Sequence, residues 1–549
     1  MSTREAARGV AHAAALIAAL TVLARLAGFG RTLAFTNTVG ADSTGDTYVA
    51  ANTVPNIVFE VVAGGALASL VVHMLAAGIA SGNREHVRGT ASALLGWTLV
   101  VLTPLAVLLA LLSRPIAELL LGGRGPDEVA LATRFLLVFS PQVVLYGIGI
   151  VLTGILQAHR RFAGPAIAPL LSSLVVASAY LLFAGIGGAH EVTDLSRPAE
   201  LVLGVGTTLG VVALSLSLLV PLRRLRLGLR PALRFPVGAG PRVRRLALAG
   251  VLTLAGQQLV AAVAIRLANT DAPPGTQVAY FAGMTLFLVP WAALAVPLAT
   301  SAYPGLAERA ELGDEPGYRR TLAPAAVLVV AAAAVAAAVL VAVAGPMARV
   351  FLGGGSDASV AALRDTIIVF APGLVGYALV ALLTRAMYAR GSWQAPTVCV
   401  VGGWVLAVVA DLVLATLLPP ADRALALGAG HSIGVTVAGI GLLVVVARAA
   451  GPQSLAGVDR VGEPALLAAA LAAVAGVAVG RALGADPVPP HGALAALGTG
   501  VLTGATALVV AAAVMMGTAR GPLAAALRGL RAPDREAHQP EARPTGGAR

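Results

Sequence analysis

Two arginines, Arg25 and Arg31, flank Gly28 and Gly30 in an otherwise apolar run, ARLAGFGRTLAF. A charge in such a run is costly in lipid, so it faces a cavity or reaches toward the headgroups. A guanidinium donates two parallel hydrogen bonds from a planar fork, and in a cleft that geometry suits a phosphate. Six residues turn an ideal helix through about 120°. The pair therefore meets one cavity only if the glycines bend the helix. The next apolar run, GDTYVAANTVPNIVFEVVAGGALASL, places Asp46, Asn52, Asn56 and Glu60 about Pro55. Proline removes a backbone donor and kinks a helix, so the two asparagines are expected beside a kink. Asp46 is placed either to pair with Arg31 or to cap its helix; both stay open. Glu60 lies deeper and is expected to face a cavity. Further along stand Gln257, Gln258 and Arg266, then Pro290 inside another apolar run, then Asp411, for which Arg385 and His431 are the candidate partners.

Other chemistries lack their residues. The chain holds no lysine, so all 38 of its cations are arginine and a phosphate loop of the Walker type is excluded. Cys399 is the single cysteine, which rules out an intramolecular disulfide and the usual Cys/His zinc or haem spacings. No carboxylate pair, catalytic triad or metal cluster stands out. The expectation is a protein that is not an enzyme and takes no cofactor or metal.

The elements that must carry these residues follow from composition. Of 549 residues, 58% are apolar and 12% charged, about half the charge of a soluble chain. A soluble core cannot absorb that excess, and disorder is excluded by the same figures. One membrane span takes about 20 apolar residues, and fourteen such segments lie between residues 10 and 516. The predicted fold is an all-α integral membrane protein of fourteen transmembrane helices. With both termini inside, 26 arginines fall in inner segments and 7 in outer loops, the bias that sets membrane orientation. Cations of this kind call for no nucleic acid.

The most basic stretch, PLRRLRLGLRPALRFPVGAGPRVRR from Pro221, divides the first twelve spans six and six, and is expected to anchor at anionic lipid. The predicted division is a six-helix lobe over 1–222, a basic cytoplasmic linker over 223–245 and a second six-helix lobe over 246–450. Helices 13 and 14 occupy 451–520, and a disordered cytoplasmic tail takes 521–549. An internal repeat supports the division: VFSPQVVLYGIGIVLTGILQAHRRFAGP from Val138 aligns without gaps to VFAPGLVGYALVALLTRAMYARGSWQAP from Val369. Nine of 28 positions are identical, among them Pro141/Pro372 and Tyr146/Tyr377. Repeats six spans apart share an orientation, which suits two lobes around a central cavity in a transporter.

The stretch ARLAGFGRTLAFTNTVGADSTGDTYVAANTVPNIVFEVVAGGALASLVVHML resembles the opening of the MurJ/MviN lipid II flippases, of the multidrug/oligosaccharidyl-lipid/polysaccharide exporter superfamily. Arg25, Gly28, Phe29, Arg31, Gly40, Asp46, Tyr48, Pro55, Asn56, Gly65 and Ala66 fall on the family pattern. VAYFAGMTLFLVPWAALAVPLATSAYPGLA resembles the family's eighth span. Ala24 and Thr32 depart from the pattern, and no arginine lies between Tyr280 and Pro290. The resemblance implies a transporter in the cytoplasmic (inner) membrane that flips a polyprenyl-pyrophosphate-linked saccharide, lipid II, by alternating access driven by the membrane potential. It implies Arg25, Arg31, Asp46, Asn52, Asn56, Glu60 and Arg266 at the headgroup, with Arg266 compensating for missing cavity arginines. The lipid tail would lie beside helices 13 and 14, and cell-wall synthesis or division proteins are the implied partners. The alternatives are a flippase for another polyprenyl-linked saccharide, a drug/cation antiporter of the superfamily, a non-transporting envelope-assembly scaffold on the same fold, and an enzyme acting on polyprenyl lipid.

Overall fold

In a computed structural model of the chain, the backbone is described for residues 3–61, 71, 74–75, 78–79, 81–234, 240–484 and 492–531. Side chains are not described for 3–19, 21, 240–253 and 530–531. Gly65 and Ala66 of the motif, and the side chains of Arg4, Arg8, Arg242, Arg244 and Arg245, lie outside the described residues.

Every regular element among the described residues is helical. The first half of the chain holds α1 (Thr3–Thr38), α2 (Ser43–Phe59), α3 (Arg84–Leu111), the short α4 (Ser113–Leu121), α5 (Pro126–Phe139), α6 (Gln142–Ala158), α7 (Ala163–Gly185), α8 (Arg197–Leu216) and α9 (Leu219–Arg223). The second half repeats this order with α10 (Gly240–Ala268), α11 (Thr276–Pro290), α12 (Val296–Glu311), α13 (Glu315–Ala342), the short α14 (Ala344–Phe351), α15 (Asp357–Phe370), α16 (Gly373–Ala389), α17 (Gln394–Leu417) and α18 (Arg423–Ala450). Then come α19 (Val458–Ala482), α20 (Ala493–Thr518) and α21 (Arg520–Arg531). Among the described residues ten helical stretches are long and apolar enough to cross a membrane, and eleven if the bent pair α15–α16 is one span. The other expected segments, α1, α2 and α10, are helices as well; each includes or borders residues that are not described.

Local chemistry sets the ends. Side-chain oxygens of Asn83, Ser196, Asp314 and Ser356 accept from backbone N–H groups in the first turns of α3, α8, α13 and α15, satisfying donors that a helix start leaves free. The expected spans 130–157 and 362–387 are each interrupted, at Ser140–Pro141 and Ala371–Pro372; the first still runs as one membrane-crossing stretch, Pro126–Ala158, and the second is a bent pair. These are the repeat-paired prolines, and the second break bends by 46°. The helices before the linker pack on one another, chiefly α1 on α7, α2 on α5 and α7 on α8. Those after it do likewise, chiefly α17 on α18, α16 on α18 and α10 on α17. The two groups touch through α1, α2 and α4 on one side and α10, α11 and α14 on the other. Helices α19 and α20 pair and lie against α13.

Two expectations shift. Residues 521–531, expected to begin a disordered tail, belong to α21, whose Leu523 and Ala526 pack on the α13 side. An apolar stripe on an otherwise basic segment is enough to dock it. Helix α10 begins at Gly240, inside the stretch expected as linker.

Candidate translocation cavity

A cavity of about 280 Å³ opens among α1, α2, α6, α7, α8 and α11, on the first-lobe side of the contact between lobes. Arg31 lines it together with Asn52, Asn56, Tyr146, Ser172 and Tyr180. The asparagines reach it because α2 carries Asn52 and Asn56 one turn apart on one face, beside Pro55. Both second-in-lobe helices loosen after their prolines: Glu60 and Val61 adopt a π turn, and so do Trp291–Ala295. Such turns recur at functional sites.

Proton bookkeeping shows what the wall offers a ligand. The Thr207 hydroxyl donates to Leu203 O at 2.7 Å, so toward Tyr48, 2.7 Å away, it can only accept. Tyr48 thus spends its proton on Thr207 and accepts from Tyr180 at 2.8 Å. Thr32, Thr36, Thr53 and Thr285 likewise donate back to carbonyls of their own helices. These hydroxyls turn lone pairs toward the space and keep their protons for the protein. Free donors come from the Arg31 guanidinium, the asparagine amides and the Tyr146 and Ser172 hydroxyls, which spend no proton on the protein among the described residues. Arg31 also lies within electrostatic reach of Tyr48, Tyr146 and Tyr180. Among the described lining residues one cation stands in a wall made mostly of acceptors, which fits an anionic group joined to a body rich in O–H and N–H donors.

One end of this space is sealed between the lobes. Asp46 is 1% exposed and accepts from the N–H groups of Gly275 at 2.8 Å and Val278 at 3.0 Å, at the start of α11. Arg124, between α4 and α5, donates to Asp46 Oδ2 at 3.2 Å and to Asn269 Oδ1, Ala268 O and Pro273 O. Gly275 has φ +88°, and a Cβ there would fall 2.0 Å from Ala41 O, so only glycine lets the lobes close this far. Beside it Asn37 donates to Val350 O and Phe351 O at 3.1 Å and accepts from Gly353 N–H. Phe29 meets Phe351 edge to face.

The expected residues are therefore divided. Arg31, Asn52 and Asn56 come together at the cavity. Arg25 does not: α1 is continuous helix through Gly28 and Gly30, and the Arg25 side chain is exposed, outside the lining. Asp46 binds neither Arg31 nor its own helix start; it is the buried centre of the seal. Glu60 is half-buried and outside the lining. Arg266 donates to Thr270 in the turn just past the end of its helix and is not among the cavity-lining residues. The tyrosine–threonine chain and Arg124 went unassigned from sequence. Tyr146 carried a signal as a repeat-paired residue, whereas Arg124 looked like any outer-loop arginine.

A two-lobed helical bundle with a polar cavity, sealed at one end by contacts between lobes, defines a membrane transporter. The family model described as "Lipid II flippase MurJ" matches residues 35–483, and the chain belongs to that family. Among curated relatives, the lipid II flippase MurJ of Burkholderia cenocepacia is 24% identical over 444 residues, 78% of this chain and 82% of the relative. The probable lipid II flippase MurJ of Synechocystis sp. is 23% identical over 402 residues, 71% of this chain and 74% of the relative. In fold, the chain is similar to a lipid II flippase MurJ in an inward closed conformation, with TM-score 0.69 and 16% identity over 91% of this chain and 99% of that one. An inward-facing multidrug transporter of the MATE family matches with TM-score 0.63 and 16% identity over 80% and 96%.

Proposed function

We propose that this protein flips lipid II across the cytoplasmic membrane by alternating access, as a transporter without catalytic chemistry of its own. The observation that carries this reading is the cavity wall: one guanidinium, Arg31, among acceptor-presenting hydroxyls. The pyrophosphate matches Arg31, and the sugar hydroxyls and peptide N–H groups match the threonine and tyrosine oxygens. Both termini lie on the cytoplasmic side and fourteen helices cross the membrane, which makes the Asp46–Arg124 seal the outer gate. Asp46 then holds Arg124 and the α11 N-terminus and leaves the cargo to Arg31, Asn52 and Asn56. The lobes, 1–222 and 246–450, rock about this gate while the polyprenyl tail stays in lipid beside α19 and α20. The membrane potential supplies the drive at about 2.3 kcal/mol per charge per 100 mV.

Complementation of a strain depleted of its own lipid II flippase tests the reading. Wild type and Arg25→Ala are expected to restore growth, and Arg31→Ala, at equal membrane abundance, is expected not to. Failure of well-expressed wild type would overturn the cargo; full rescue by Arg31→Ala would overturn the role of the cavity arginine.

A further inference from the structure

The basic segment after α9 is a built surface, not a loose tether. Along LRRLRLGLR its leucines and arginines separate. Leu222, Leu225, Leu227 and Leu229 pack on a core of Val87, Ala91, Leu94, Val151 and Ile155 from α3 and α6. Arg223, Arg224, Arg226, Arg230 and Arg234 are all exposed, and none has a side-chain hydrogen bond or ion pair among the described residues. The backbone is pinned as well. Ala232 N–H donates to Ser92 O at 3.0 Å, Arg230 N–H to Ser92 Oγ at 3.3 Å, and Trp97 Nε1 to Leu233 O at 3.0 Å. Ala232 lies so close to α3 that a Cβ on Gly96 would sit 2.0 Å from its carbonyl oxygen. Arg226 holds φ at +49°, a left-handed conformation that is uncommon for a side chain of this size. The anchored leucines on either side hold it there and turn its guanidinium outward. Trp97 and Leu233, 44% and 54% exposed, stand beside the row. Exposed indole and leucine next to guanidiniums are the composition of a membrane interface.

We infer that residues 223–234, laid along α3, form a fixed binding site for the phosphates of anionic phospholipid headgroups. Taking the inner leaflet as the one bound rests on the orientation proposed above; the site itself rests on its own geometry. Each guanidinium near an anionic surface is worth about 1 kcal/mol, or about fivefold, and a row fixed in place loses little order on binding.

The test is lipid retention by the full-length protein, purified in detergent supplied with phosphatidylglycerol or with phosphatidylcholine and read by native mass spectrometry. Wild type should retain phosphatidylglycerol over phosphatidylcholine. The variant R224Q/R226Q/R230Q should lose that preference by tenfold or more. A control of equal charge change elsewhere, R448Q/R460Q/R520Q, removes three exposed arginines and should keep it. Equal loss in both variants would reduce the effect to net charge and overturn the site, as would no loss in either. A third arm supplies undecaprenyl pyrophosphate. If the linker variant loses that lipid and keeps phosphatidylglycerol, the phospholipid assignment fails. None of these outcomes depends on flipping, so the site and the transport reading fail separately.

Discussion

The two lobes share an order of helices and differ in what fills them. Tyr146 on α6 lines the cavity; its repeat partner Tyr377 on α16 is walled in by aromatic rings. Trp291 stacks on Tyr377 at 4.7 Å and donates from Nε1 to its carbonyl, while Phe287, Trp404 and His431 stand within 5.8 to 6.4 Å of its ring. About 10 Å³ is left there, no more than one water could fill. The difference traces to a few side chains. In α2 the residue after Pro55 is Asn56, and in α11 the residue after Pro290 is Trp291. At the 231-residue offset of the repeat, Ser172 and Ser173 stand where the second lobe has Gly403 and Trp404. Small polar groups keep one lobe open and indoles close the other, so a single scaffold yields one open polar space and one packed support.

The largest effect should come from moving the plug. Asn56→Trp gives the first lobe the indole that follows the proline in the second, and the cavity has room for it. Flipping in proteoliposomes is expected to fall at least a hundredfold. Thermal unfolding in detergent should stay within about 1 kcal/mol of wild type, since the indole enters space rather than packed atoms. Retained flipping would show that the cargo passes elsewhere. The converse change comes next. Trp404→Ala empties the closed lobe, and large-to-alanine changes in packed interiors cost about 3–5 kcal/mol, here read as a lowered unfolding midpoint. A cost below about 1 kcal/mol would mean that the second lobe is not tightly packed at Trp404.

Much of this was legible beforehand because apolar length and proline act locally. The helix limits followed the apolar runs; Pro141 and Pro372 stood out only as repeat partners, and the breaks beside them were not read from the sequence. Asn52 and Asn56 reached the cavity from their spacing beside Pro55. What escaped was set by phase and by partners far along the chain. Arg25 depended on the path of α1 through Gly28 and Gly30; the helix is continuous there and leaves Arg25 exposed outside the cavity lining. Asp46 found Arg124, 78 residues away, and two amides at the start of α11, Gly275 and Val278, more than 200 residues away. The Tyr48–Tyr180–Thr207 chain joins three helices, and no local pattern encodes such a pairing.

The smallest expected effect tests whether the closed lobe is dry. Asp411 was expected to meet Arg385 or His431. Arg385 donates instead to Ala381 of its own helix, and both carboxylate oxygens of Asp411 are buried without a hydrogen bond among the described residues. His431 is in the same condition at both ring nitrogens, held among Phe287, Phe370, Tyr377 and Trp404. A buried polar group without partners costs about 1–3 kcal/mol, and an apolar side chain of similar reach would remove that cost while keeping the ring contacts partly filled. His431→Leu should therefore be neutral or raise the unfolding midpoint by the equivalent of about 1 kcal/mol. A loss greater than about 2 kcal/mol would mean that the imidazole has a partner, such as bound water, and that the contrast between an open lobe and a closed one is a contrast of degree.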